Sequence, residues 1–222
     1  MEISAFALAR REITCGEWLV FLNSPSHRSV CSESEALGKP ILIPRKDNKS
    51  LWLKDKDGNY RLPQTTDGSP IDPNWPISHI SGRDALAYAT WRSQQDHLEW
   101  RLPSHGEWML AAQGGDGRAY PWGMRADIGF SASALGTTQD QWCSHPVGSH
   151  PKDRSVQGVF DLGGSVAEMV LVDGFVRLAA GGSHRDRQPE VFGVSSNRDV
   201  VDSQPEPGVG LRLALTVPVS AR

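Results

Sequence analysis

The sequence predicts an α+β fold, rich in loops, with a few short strands and two to three helices. Three observations point there. A Ser or Thr stands three residues before an acid at Thr14/Glu17, Ser81/Asp84 and Ser104/Glu107, each ahead of apolar residues at helical spacing, which is how a capped helix begins. Beyond Gly123 the chain breaks into short apolar fragments separated by Gly, Pro, Ser and Asp. Glycine (22) and proline (15) together make about a sixth of the residues, rich in turns yet below the low-complexity range. The eight tryptophans suit a core or groove walled by large flat side chains.

In chain order, Ile3–Ala9 is an apolar run of strand length that ends at Arg10-Arg11. Thr14 and Glu17 then open a helix over about 14–23, with Trp18 and Leu22 at helical spacing and Phe21 beside them. Residues 24–76 carry the weakest pattern. Ser24-Pro-Ser-His and Asp67-Gly-Ser-Pro read as turns, and Lys54–Asn59 as a hairpin tip between Leu51-Trp-Leu and Tyr60-Arg-Leu. A second helix is predicted over about 82–96, with Ala85, Tyr88 and Trp91 on one face. A third starts at Ser104 and stops at Gly114-Gly115. Val176–Ala180 and Leu211–Leu215 read as small strands. No linker, repeat or shift of composition divides the chain, so 1–222 reads as a single domain.

The balance of charge excludes some classes of function. A net charge of −3 with acids and bases interspersed gives no footprint for nucleic acid. No run of eighteen apolar residues spans a membrane, and no secretory leader pattern is visible. Cys15, Cys31 and Cys143 are too scattered for a disulfide framework or a metal knuckle, so a cytoplasmic setting is expected.

The stretch that organises the chain is 158–169, Gly-Val-Phe-Asp-Leu-Gly-Gly-Ser-Val-Ala-Glu-Met, with two carboxylates and three glycines among apolar neighbours. It is too tight and polar for an ordinary strand and too apolar for a free loop. A buried bend whose carbonyls and carboxylates converge on something positive fits it.

The motifs, in their order, resemble the formylglycine-generating enzyme family, the sulfatase-modifying-factor domain. They include Trp75–Ser81 with Asp84-Ala-Leu-Ala-Tyr88 and Trp91, Arg101-Leu-Pro-Ser-His-Gly-Glu107-Trp108, Tyr120-Pro-Trp-Gly123, and Pro146–Ser149. The stretch 158–169, Gly181-Gly-Ser183 and Gly210-Leu-Arg212 complete them. The resemblance implies a loop-rich variant of the C-type lectin fold, with 24–74 as an insertion. It also implies a structural calcium ion at the bend, held by the side chains of Asp161 and Glu168 and by the carbonyls of Gly164 and Val166. Calcium takes roughly 6–8 hard oxygen ligands, and a glycine-rich bend turns carbonyls inward at little steric cost. Ser165, Ala167 and Met169 replace the family's Asn, Trp and Trp, so the packing there is altered. The other reading stays open: Glu168 pairs with an arginine, and the glycines serve only the turn.

Oxidase members of the family oxidise a substrate cysteine with two copper(I)-binding cysteines a few residues after Gly-Gly-Ser. Here that segment reads Gly181-Gly-Ser-His-Arg-Asp-Arg-Gln-Pro-Glu-Val-Phe192, with no cysteine, so neither copper nor formylglycine-generating activity is expected. His184, Arg185, Asp186 and Arg187, with Trp142, Asn197 and Arg198, are the candidate lining of a polar cleft. Guanidinium groups beside a histidine suit an anionic group, and a solvated, salt-bridged loop is the plainer alternative. The expected function is a non-catalytic sensor or docking module for a small molecule, protein or peptide. The resemblance makes a covalently linked bacterial serine/threonine kinase domain one expected context. An enzyme of divergent chemistry, or the variable protein of a diversity-generating retroelement, are the alternatives.

Overall fold

The computed structural model describes residues 3–65, 68–133, 142–143 and 145–217. Its first strand, β1 (Phe6–Leu8), leads through Arg10–Ile13 to α1 (Cys15–Asn23). Thr14 caps α1 reciprocally with Glu17, as its spacing predicts. A second helix, α2 (Pro25–Ala36), follows at once, and two hairpins come next: β2 (Arg45–Lys46) with β3 (Lys49–Ser50), and β4 (Leu53–Lys54) with β5 (Tyr60–Arg61). Then come α3 (Gly82–Asp96), β6 (Trp100–Arg101) and α4 (His105–Gln113). The rest is long loops around β7 (Ala167–Val172), β8 (Phe175–Ala180), β9 (Asn197–Asp199), β10 (Val209–Gly210) and β11 (Ala214–Thr216).

The strands form two main sheets. One runs β1-β11-β6 and ties the two ends of the described chain together. The other runs β10-β7-β8-β9, with β10 parallel to β7. The larger core lies where α1 crosses α3. Trp18, Phe21 and Leu22 share one face of α1; Ala85, Tyr88 and Ala89 share one face of α3. Trp18 stacks on Tyr88 at 5.0 Å, and Phe21 meets both rings edge-on. Such pairs add about 0.5–1.5 kcal/mol each beyond the area they bury.

Four expectations are corrected. The described residues form four α-helices, one more than predicted. Ser24-Pro25 is a helix start, not a turn: proline at the first helical position has its φ preset and lacks only an N–H that would be unpaired anyway. Of all α2, Cys31 alone is fully buried, so no apolar periodicity marked it. The last residues of the 158–169 bend already belong to β7, and of Leu211–Leu215 only 214 and 215 enter a strand. The predicted turn at Asp67 falls partly outside the described residues.

Residues 24–74 feed the same core through Ile43, Trp52, Tyr60 and Ile71. Their anchor is Asp84 at the start of α3. Its carboxylate accepts from Leu42 N at 2.7 Å, from the buried Arg45 guanidinium at 2.6 Å, and from Ser81 N and Oγ. Replacing Asp84 by Ala strands Arg45 in the interior. A loss of about 3–5 kcal/mol in denaturant unfolding is the expected result, and a loss under 1 kcal/mol would show that residues 24–74 do not depend on this anchor.

Candidate functional site

The bend turns on two residues in the left-handed region, Asp161 (φ 59°) and Ser165 (φ 69°), flanking Gly163-Gly164. Gly164 has no room for a side chain, since a Cβ there would lie 2.4 Å from the Ala132 carbonyl oxygen. Backbone amides of the bend and its neighbours point at carboxylates. Gly163 and Gly164 donate to Asp153 at 3.0 Å each, Gly148 donates to Asp161, and Val166 donates to Glu12 at 3.3 Å.

Glu168 is satisfied by protein alone. Arg212 Nη2 donates to its Oε1 at 2.6 Å, Arg212 Nε to its Oε2 at 2.9 Å, and Trp108 Nε1 to the same Oε2 at 2.8 Å. Both partners are buried, and Arg212 also donates to the carbonyls of Ala9 and Phe160. This is the arginine pairing left open by the sequence. The proposed calcium set does not fit as placed, because Glu168 has given both oxygens to a guanidinium. Among the described residues, no group of three or more His, Cys, Asp or Glu side chains is arranged to hold a metal.

Sequence reading missed three members of this centre: Glu12, Asp153 and Arg212. Arg212 carries a readable signal, a charge between Leu211 and Leu213 in an apolar run. Glu12 and Asp153 reach the bend only through the fold. Burial, with Asp161 next, pushes the Asp153 carboxyl up to about 8. Burial pushes Asp161 up to about 6, and burial with Asp161 and Glu168 nearby raises Glu12 well above its ordinary range.

The second set of predicted residues comes together in part. His184 is buried, its backbone N–H donating to Ser165 O at 2.7 Å and its Nδ1 lying 3.0 Å from the same oxygen. Asp186 Oδ2 accepts from Ser183 N and Oγ, both at 2.8 Å, and from Arg198 Nη2 at 2.6 Å. Trp142 packs against His79, ring centroids 4.8 Å apart. Sequence reading did not single out His79. It is buried with φ 62°, its Nδ1 is 2.9 Å from Ser78 Oγ, and its pKa falls to about 3 through burial and then the charges of Arg185, His184 and Lys46. Among the described residues, neither His79 Nε2 nor Trp142 Nε1 has a hydrogen-bond partner. Arg185, Arg187 and Asn197 are exposed, and Asn197 donates to Ser195 O.

All three cysteines are buried free thiols, none within 184–192. Burial pushes Cys31 and Cys143 up to about 12 and Cys15 higher still, which leaves them unreactive. No described helix is long and apolar enough to cross a membrane.

Two outcomes follow for the bend. Glu168→Ala leaves Arg212 unpaired in the interior and should cost about 3–5 kcal/mol, while a calcium chelator should leave the melting temperature of the wild type unchanged. A melting point that falls with chelation would restore the calcium reading. The buried acids also set a pH dependence. Their folded pKa values stand above the unfolded range near 4, so the folded state holds more protons than the unfolded between about 4 and 8, and stability falls as pH rises through that window. Asp153→Asn, which cannot ionise, should flatten the upper part of that decline in melts taken at successive pH values. An unchanged slope would remove Asp153 from this role.

Comparison with known proteins agrees with this architecture. A family model described as the sulfatase-modifying factor enzyme 1-like domain matches residues 1–217. The chain is similar to the formylglycine-generating enzyme of Bos taurus, 29% identical over 138 residues, 55% of this chain and 34% of that protein. It is also similar to the inactive C-alpha-formylglycine-generating enzyme 2 of the same organism, 46% identical over 77 residues, 33% of this chain and 23% of that one. The matched stretches thus span well under two thirds of either relative. Among solved structures, PvdO from Pseudomonas aeruginosa superposes with a TM-score of 0.68 at 18% identity, covering 96% of this chain and 80% of that one. With buried Arg212 and Glu168 closing the fold and the family model matching nearly end to end, the chain belongs to the sulfatase-modifying factor enzyme 1-like domain family.

Proposed function

We propose that this chain is a non-catalytic binding module of its family, with its ligand or peptide partner docking at the cleft beside His79, Trp142, His184 and Arg185. The observation that carries the reading is the state of the segment after Gly181-Gly182-Ser183. It holds no thiol, and its Asp186 is closed onto Ser183 and Arg198. A paired, half-buried carboxylate offers neither a soft metal ligand nor a nucleophile. The similarity to a relative named as inactive supports the same reading.

A binding role is supported by what the cleft leaves unmet. Burying a polar atom without a partner costs about 1–3 kcal/mol, and His79 Nε2 with Trp142 Nε1 makes two such atoms side by side. The left-handed backbone at His79 adds strain of the kind that gathers at ligand sites. A group on the ligand with both donor and acceptor character relieves both atoms, and the nearby Arg185 favours a ligand with negative charge.

The test is direct. Titrated with copper(I) and then offered a cysteine-containing peptide in air, the protein should bind no copper tightly and leave the peptide thiol intact. Copper-dependent loss of that thiol at a rate above buffer would overturn the non-catalytic reading.

A further inference from the structure

The structure holds a second cavity on which the cleft does not depend. It lies between residues 9–14, Arg92 of α3 and Trp100 of β6, with a volume of about 700 Å³, and none of residues 184–198 line it. That volume is in the range of small-molecule sites, roughly 300–1,000 Å³. Ile13, Val147, Leu213 and Trp100 give it apolar walls, and Asn74 and Arg11 stand among its polar groups.

We propose that this cavity binds a small organic anion, with the acidic head on Arg11 and an apolar body against Trp100 and Leu213. The charges of the wall decide the sign. Arg92 is matched by Asp96 at 2.7 Å, and Asp96 also accepts from Trp100 Nε1. Glu17 is used at the start of α1, where it accepts from Thr14 N. Arg10 donates to Gly158 O and lies over the Phe160 ring. Arg11 differs: among the described residues its guanidinium forms no hydrogen bond or ion pair, and it acts on Asp161 only as a more distant charge.

Arg11 is also held in place. It lies over the bare Cα of Gly148, where a Cβ would come within 2.9 Å of Nε, and Gly148 takes φ 76°. Glu12 lines the cavity too, but its side chain is buried, its Oε1 accepts from Val166 N of the bend, and burial raises its carboxyl well above the ordinary range; its Oε2 has no partner among the described residues. An unmatched guanidinium beside apolar walls suits a carboxylate, sulfonate or phosphate monoester with a hydrocarbon part.

The probe is 8-anilinonaphthalene-1-sulfonate, followed by its fluorescence on the folded protein at neutral pH. Saturable binding of one dye per chain is expected, displaced by benzoate or phenyl phosphate but only weakly by inorganic phosphate. Displacement by benzoate alone or by phenyl phosphate alone would place the natural ligand among carboxylates or phosphate esters respectively. Arg11→Gln should weaken the dye about tenfold or more, the range for losing one charge-assisted contact. Val147→Trp should block the cavity, and Arg187→Gln, in the cleft segment, should change nothing. If Val147→Trp does not unfold cooperatively, Arg11→Gln, an exposed position, decides alone. No saturable binding, equal affinity in wild type and Arg11→Gln, or displacement by inorganic phosphate as readily as by phenyl phosphate would each overturn the assignment. None of these results touches the reading of the cleft, which stands or falls on copper and thiol chemistry.

Discussion

Arg212 and Glu168 meet in a two-point ion pair shut away from solvent, and the loosest parts of the chain are tied to it. Through the guanidinium the C-terminal segment reaches Ala9 O ahead of α1 and Phe160 O in the bend. Through the carboxylate, β7 reaches Trp108 of α4. Every one of these contacts has a fixed direction, because a planar guanidinium and a carboxylate accept only a narrow set of geometries. A buried pair of this kind adds little stability over a well-packed apolar replacement, but leaving either partner alone is costly. Its value here is register. Long loops with few ladder hydrogen bonds can meet in many ways, and only one of them satisfies both charges.

The surroundings of the pair explain how a bend so rich in carboxylates is balanced. Glu12, Asp153 and Asp161 bring acid beyond what one arginine neutralises. The compensation comes from two sources. Amides of Gly148, Gly163, Gly164 and Val166 are aimed at these oxygens, as the tight glycine turns permit. Burial adds to this by raising all three acids, Asp153 to about 8. The convergence on something positive that the sequence implied is therefore real in the structure, and the positive partner is made of a guanidinium and peptide N–H groups.

What could be read from sequence follows the range of the interactions involved. The capped helices α1, α3 and α4 were legible to within a residue because Thr14, Ser81 and Ser104 act on an acid three residues on. Helix α2 was not, since its stability comes from docking through Cys31 and from a proline start that also reads as a turn. The bend was recognisable as a buried centre from its composition. Its partners were not: Glu12 meets Val166 across 154 positions of sequence, and Arg212 meets Glu168 across 44. His79 escaped notice for another reason. A histidine in a run of Ile and Ser shows neither its left-handed backbone nor its unmet nitrogen until the neighbours are in place.

The position after Gly181-Gly182-Ser183 attracts attention by sequence, yet its hydrogen bonding points away from it. Asp186 folds back on Ser183 N and Oγ in the manner of a capping residue, and Arg198 neutralises it, so the segment is complete without a ligand. Among the described residues, buried groups without a partner lie elsewhere, His79 Nε2 and Trp142 Nε1 among them, and a solvent-exposed guanidinium with no protein partner stands at Arg11. A polar group in a folded chain stays unmet only at a cost that packing elsewhere must offset. His79 and Trp142 are such positions, and binding energy is available there and at Arg11 more than at Asp186, whose carboxylate is already closed onto Ser183 and Arg198.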